Sequence, residues 1–275
     1  MYWPIMLPVS WRYLGVAMEA VLRAGALQKE RYGDPTLIVE HKGAIDLVTE
    51  VDRKCEQAIL EILRGHFPDH DVVTEESHIE RTGSRYVWFV DPLDGTTNFA
   101  HSYPFFCSSV ALTRDGEVVA GAVYDCVKEE LFSAERGGGA HLNGRRLKVT
   151  ERSELLTALL VTGFPYDLRD DLEGKLRLFT RFMGEARAIR RDGAAALDLS
   201  YVAAGRVDGF WEELLQPWDL MAGRLMVEEA GGVVTRFDGG ALGLRADEIV
   251  AANPALHRLM LEVFRKQREA APALS

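Results

Sequence analysis

The sequence has no run of roughly eighteen apolar residues, so nothing in it reads as a membrane-spanning helix. Cysteine is scarce. Cys55, Cys107 and Cys126 are odd in number and lack C-x-x-C spacing, which excludes a disulfide framework and a zinc cluster and points to a reducing cytoplasm. Of seven histidines only His66 and His70 stand four apart, and Pro68 between them spoils a helical metal pair. Basic charge is also in deficit, with 32 Lys and Arg against 42 Asp and Glu and a formal net charge of −10. That balance argues against nucleic acid or an anionic membrane as the main partner. It leaves small anionic substrates open, because a bound divalent cation reverses the sign of a site locally. Repeats, low-complexity tracts and long Gly/Ser/Pro linkers are missing as well. The apolar opening, Met1 to Pro8, lacks a basic n-region and a small-residue cleavage site. It is read as a short arm packing on the body or a partner subunit, not as a signal peptide.

What is present is ordinary for a globular protein with a full core: 275 residues, 47% of them hydrophobic and 27% charged. Apolar periodicity predicts an opening helix over Trp11 to Gln28 with Ser10 as its N-cap, and a second over Glu50 to Arg64 stopped by Gly65. Asp71 to Thr74 and Tyr86 to Val90 read as short strands ending in acids. Phe106 to Thr113, Glu117 to Asp125 and Glu130 to Ala134 read as a meander, with hairpin turns at Asp115-Gly116 and Asn143-Gly144. After about residue 150 strands alternate with helices: strands at Leu159 to Gly163, Val207 to Trp211 and Val233 to Phe237, and helices at Leu172 to Phe182, Ala194 to Ala204, Leu220 to Ala230 and Pro254 to Arg268. The expectation is two subdomains, 1–150 and 151–275, with acidic strand ends meeting in a cleft between them.

The segment Trp88-Phe-Val-Asp-Pro-Leu-Asp-Gly-Thr-Thr-Asn-Phe99 carries the most chemistry. An apolar strand delivers Asp91, Pro92 fixes the backbone, and Asp94 follows on the turn. Two carboxylates so spaced can converge on one cation or bridge two, and the Leu93 carbonyl can add an oxygen. Hard oxygen donors without His or Cys favour magnesium or manganese. Gly95, Thr96 and Thr97 open a short helix whose amides form a phosphate seat. A plain solvated turn is the alternative, and the long apolar strand leading into it weighs against that. Glu75 and Glu76 end another strand, while Asp46 and Asp52 flank Leu47-Val-Thr-Glu-Val51. Thr49-x-x-Asp52 also matches a capping box, and Asp219 reads as the N-cap of its helix, so each has a structural reading beside a chemical one.

In these residues the sequence resembles the inositol monophosphatase family, within the lithium-sensitive, metal-dependent sugar phosphatases. Asp91-Pro-Leu-Asp-Gly-Thr-Thr-Asn-Phe99 resembles its first signature, and Trp218-Asp-Leu-Met-Ala-Gly223 with Glu229-Ala-Gly-Gly232 its second. Lys42, Asp46-Leu-Val-Thr49, Asp52 and Glu75-Glu-Ser77 match in the same order, so the likeness runs from about residue 12 to 265. It implies a mixed α+β / α/β fold, a layered α-β-α-β-α sandwich, and a homodimer. It also implies Mg²⁺-dependent (or Mn²⁺-dependent) phosphate monoester hydrolysis by in-line attack of a metal-activated water. One ion would be held by Glu75, Asp91 and the Leu93 carbonyl, a second by Asp91, Asp94 and Asp219, and a weaker third near Glu75. Thr96, bonded to Asp52, would orient and deprotonate the water. The amides of Gly95 and Thr96 would hold the phosphate, and Glu212 and Ala195 the substrate hydroxyls. Ala194 stands where the family usually has a hydroxyl residue, which removes one contact.

The resemblance favours inositol 1-phosphate as substrate, with fructose 1,6-bisphosphate next, then histidinol phosphate or 3′-phosphoadenosine nucleotides. Arg190 and Arg191 are candidates for a second phosphate, though exposed helix-flanking arginines are the simpler reading. A haloacid-dehalogenase-type phosphatase is set aside because its two aspartates are two apart, not three. The Gly137-Gly-Gly139 run lacks the G-x-G-x-x-G of a dinucleotide site and is read as structural. A non-catalytic protein keeping the fold is the rival from another class.

Overall fold

The structure is a computed structural model that describes residues 9–41, 47–77, 82–164, 172–244 and 246–270. The readings of Lys42, Asp46 and the apolar arm lie outside the described residues. The N-terminal half runs α1 (Val9–Arg31), β1 (Val39–His41), β2 (Leu47–Thr49), α2 (Glu50–His66), β3 (Asp71–Thr74), β4 (Tyr86–Asp94), α3 (Thr96–Ala100), β5 (Cys107–Arg114), β6 (Glu117–Asp125), β7 (Glu130–Glu135), β8 (Gly139–Leu142) and β9 (Arg145–Arg146). It continues as β10 (Leu159–Thr162), α4 (Leu172–Glu185), β11 (Ala188–Arg190), α5 (Ala195–Ala203), β12 (Gly209–Leu215), α6 (Pro217–Glu229), β13 (Val233–Thr235), β14 (Ala246–Ala252) and α7 (Pro254–Ala270).

Among the described residues β3 to β9 form a seven-stranded sheet in sequence order, parallel only at β3–β4. A five-stranded sheet has the order β11-β10-β12-β14-β13. The period-two alternation of strands sorts side chains between layers. Trp88 and Val90 of β4 pack with Ala17, Val21, Cys55 and Ile59 of α1 and α2 on one face. Val87 and Phe89 turn to the other face and join Leu197 of α5 and Leu220 and Met221 of α6. That middle layer also meets Phe210, Ile249 and Ala251 of the second sheet, whose opposite face, with Trp211 and Val250, is covered by Phe182 of α4 and Leu256, Met260 and Phe264 of α7. The result is the α-β-α-β-α sandwich, with both sheets buried on both faces. This double burial explains why their strands read as near-continuous apolar runs.

Both hairpin turns have two residues in the left-handed region, Asp115 (φ 54) with Gly116 (φ 85) and Asn143 (φ 48) with Gly144 (φ 78), as a turn matched to strand twist requires. Several boundaries differ from expectation. The first helix begins at Val9, so Ser10 lies inside it and is not the cap. Gly65 does not stop α2, which runs to His66 and ends where the Phe67 amide donates to Leu63 O at 2.8 Å. Arg190 belongs to strand β11 and does not flank a helix directly. The β1–β2 pair, β8, β9, β11 and β14 are additional elements. His70 packs as an aromatic, stacked on Phe67 and Tyr86, with its Nδ1 accepting from Trp88 Nε1 at 3.1 Å. No helix among the described residues is long and apolar enough to cross a membrane.

Helix α6, which carries Asp219, sits close to the first sheet because Gly121 of β6 faces Ala222. A Cβ on Gly121 would lie 3.0 Å from the Ala222 Cα and 3.2 Å from its Cβ. Overpacking such a contact forces the layers apart. Gly121→Val is therefore expected to lower stability by about 2–3 kcal/mol, read as a shift of the urea midpoint at unchanged slope.

Candidate active site

The site forms where β4 leaves the first sheet. Strand β4 pairs with β5 through Asp91↔Ser109 and resumes at Asp94↔Cys107, so three steps on β4 oppose two on β5. The extra residue makes a bulge at Pro92-Leu93, as suits a proline that cannot donate to a ladder. Inside the bulge the Leu93 amide donates to Asp91 Oδ1 at 3.0 Å. The Thr96 hydroxyl lies 3.0 Å from Leu93 O and 2.9 Å from Asp52 Oδ1, so its single hydrogen has two acceptors. Gly95 takes φ 91 between them, and a Cβ there would stand 3.0 Å from Phe105 O and 3.3 Å from the Ala194 Cβ. Glycine is required at this corner both by conformation and by space.

Asp52 carries both of its readings at once. Its Oδ2 accepts the Thr49 amide at 2.8 Å and the Thr49 hydroxyl, closing the capping box at the start of α2. Its Oδ1 is left for Thr96. The side chain is fully buried, and burial raises its pKa while the bonds from Thr49 and Thr96 pull it back. Glu75 follows β3, held by its amide on Val90 O at 3.2 Å. The next residues are fixed by Glu56 of α2, which accepts the Glu76 amide at 3.1 Å and the Ser77 hydroxyl. Glu56 was not anticipated, although it stands four residues after Asp52 on the same helix face.

Asp219 is not the N-cap of α6. Gln216 is, and Asp219 at the third helical position accepts the Gln216 amide at 2.8 Å. Asp94 serves another helix: its Oδ2 accepts the Ala196 amide at 2.8 Å at the start of α5, with help from the Ala195 amide. The amide expected to meet substrate hydroxyls therefore leans on a carboxylate of the chain itself.

These acids feel one another. Burial first, then repulsion from Glu75, Asp94 and Asp219, holds the Asp91 carboxyl well above the usual carboxylate range. Burial lifts Asp94 to about 7, with Glu75 adding to the rise and the Ala196 amide opposing it. Asp219, partly open at the surface but deep in the fold, is raised by burial and then by Asp94 and Glu75. Among the described residues no three His, Cys, Asp or Glu side chains are grouped so as to hold an ion as they stand. The fit to a cation rests instead on donor chemistry: hard oxygen acids, with the Leu93 carbonyl beside them, whose mutual repulsion a divalent ion would offset.

Glu212 of β12 is buried, and burial raises it to about 8 while Arg191 pulls it down. Its carboxylate lies against Gly163, where a Cβ would sit 2.1 Å from its oxygens, so a larger residue there would push the carboxylate aside. Gly163 was not assigned a role from sequence; the available signal was a glycine just past the end of β10. Asn98 was also passed over. Its Nδ2 donates to Phe105 O at 2.7 Å and Asp192 O at 2.8 Å, tying α3 to the loop before α5. The Gly137 and Gly139 amides donate to Glu229 at 2.8 and 2.9 Å, so that glycine run anchors the end of α6.

Because Glu212 titrates higher when folded than when unfolded, the unfolded state binds fewer protons between about pH 4.5 and 8, and stability falls as pH rises through that window. Relative to wild type, Glu212→Gln should gain a few kcal/mol between pH 5 and 8, with the difference level above that, as measured by urea unfolding at stepped pH.

The comparisons with known proteins agree with this architecture. The sequence matches the inositol monophosphatase family over residues 12–269. It is 44% identical over 255 residues to the inositol-1-monophosphatase of Rhizobium meliloti, spanning 92% of this chain and 96% of that one. It is 42% identical over 256 residues to the Nus factor SuhB of Escherichia coli, with the same shares of 92% and 96%. The solved inositol monophosphatase of Anabaena superposes with a TM-score of 0.87 at 39% identity, covering 97% of this chain and 99% of that one. A match of this extent identifies the chain as a phosphoric monoester hydrolase of the inositol monophosphatase family.

Proposed function

We infer that the chain hydrolyses the phosphate monoester of a small polyol, inositol 1-phosphate before fructose 1,6-bisphosphate, by direct attack of water. The observation that carries this is the Thr96 hydroxyl held on buried Asp52 beside the acid cluster, with no nucleophilic side chain needed. Glu75, Asp91, the Leu93 carbonyl, Asp94 and Asp219 would hold Mg²⁺ or Mn²⁺ in two or three sites, and the ions when bound would supply positive charge to activate water and to offset charge on the phosphoryl and departing oxygens. The rest belongs to the chain. Thr96 Oγ1 orients the water and takes its proton while the threonine hydrogen moves to Asp52 Oδ1, a stronger base than an exposed aspartate because burial raises it. The Gly95 and Thr96 amides hold the phosphate, and Glu212, with Asp219 and the Ala195 amide, holds the hydroxyls of the leaving polyol. The buried Glu212 carboxylate against Gly163 supports a polyol hydroxyl as its partner.

The division at residue 150, with most acids before it and Asp219 and Glu212 after it, is proposed with this reading, as is the homodimer. The Nus factor name of the Escherichia coli relative favours a second role beside hydrolysis. An Asp94→Asn chain that is inactive yet still stands in for that relative in its Nus role would establish it.

Phosphate release from myo-inositol 1-phosphate and fructose 1,6-bisphosphate, with Mg²⁺ and with EDTA, tests the main reading. Turnover should require the metal, run faster on the inositol ester, and fall about a hundredfold or more in Asp94→Asn and in Thr96→Ala. Undiminished turnover in EDTA would sink it.

A further inference from the structure

The bulge at Pro92-Leu93 removes a stretch of ladder, and its carbonyls need other partners. Pro92 O finds two. Ser108 of β5, opposite the bulge, donates its hydroxyl at 2.9 Å, and Gln28 of α1 donates Nε2 at 2.9 Å. Gln28 Nε2 also donates to Ser108 Oγ at 2.8 Å, closing a three-membered ring of hydrogen bonds. Gln28 and Ser108 are both 0% exposed. The amide orientation follows from chemistry, since a proline carbonyl can only accept. Among the described residues, that leaves Gln28 Oε1 buried without a protein partner. An amide half unsatisfied in the interior is a net burden on folding, which an apolar side chain of the same size would avoid.

We propose that Gln28 and Ser108 are positioning residues for the cation site, acting through the Pro92-Leu93 peptide. This inference rests on the metal-dependent reading above. The peptide is pinned at its oxygen by these two donors, and at its nitrogen the Leu93 amide grips Asp91 Oδ1 at 3.0 Å. Rotation of that plane would swing the Leu93 amide off Asp91 and turn the Leu93 carbonyl away from Thr96, altering two of the expected metal-binding oxygens together. The first helix of the chain thereby acts on the site without touching substrate. Outer partners of this kind orient ligands and set affinity.

The test is Mn²⁺ binding in the absence of substrate, by calorimetry and by the loss of free Mn²⁺ signal in electron paramagnetic resonance, for wild type, Gln28→Met and Ser108→Ala. Both variants should bind Mn²⁺ about tenfold more weakly, with Gln28→Met melting at or above the wild-type temperature. The Mg²⁺ concentration for half-maximal turnover should rise in parallel, while kcat at saturating Mg²⁺ largely recovers. Folded variants that bind Mn²⁺ as wild type does would overturn the proposal. Should Gln28→Met fail to fold, Ser108→Ala decides by the same criterion. A wild type that binds no Mn²⁺ would overturn the metal reading itself, and this inference with it.

Discussion

Bringing Asp91, Asp94, Asp219 and Glu75 into one another's field costs free energy, because charge is poorly screened where water is excluded. Everything nearby limits that cost. Backbone amides meet the carboxylates one by one: Leu93 on Asp91, Ala196 on Asp94, Gln216 on Asp219. Two of those amides open helices, so each acid also completes a helix end that would otherwise be unsatisfied. The carboxyls still resist ionisation, and the fold supplies the energy to keep them there. That energy comes from two sheets packed on both faces.

The geometry follows from small residues at a few points of contact. Gly121 lets α6 lie close on the first sheet, and Gly223 admits Leu199 of α5, since a Cβ there would lie 2.5 Å from the Leu199 Cβ. The middle helices can then deliver Asp219 and the α5 amides toward the bulge from the opposite side. Asn98 bridges the same gap from the first half, with one amide group on two carbonyls 87 residues apart, Phe105 and Asp192. The site is therefore made at a seam, and no single layer contains it.

Much of this could be read from the sequence, for reasons that differ by element. Strands β3 and β6 were legible to the residue, because turn chemistry or a sharp change of polarity bounds each of them. The acids stood out because they end apolar runs, where a solvated charge has no reason to be. Helix ends were less legible. Ser10 and Gly65 carry ordinary cap chemistry, but packing of α1 and α2 on the sheet carries the helices past them. Asp219 was placed at the wrong cap position because Pro217 already occupies the first helical residue and moves the cap back to Gln216. β14 escaped because Ala246-Asp-Glu-Ile-Val-Ala-Ala252 begins with acids and is made of small residues that only a doubly covered sheet can use. Gly163, Asn98 and Glu56 escaped because their roles depend on partners distant in sequence, which spacing alone does not reveal.

The order of strands in the second sheet bears on how the molecule is made. β14 lies between β12 and β13, although both precede it in the chain. A nascent polypeptide emerging from the ribosome would carry all four acids before the strand that joins β12 to β13 had been synthesised. Until about residue 252 is free, β12 lacks its antiparallel neighbour and the middle layer lacks Ile249 and Ala251. The second sheet, and with it the far wall of the middle layer that carries Asp219 and the α5 amides, therefore closes only once β14 is in place.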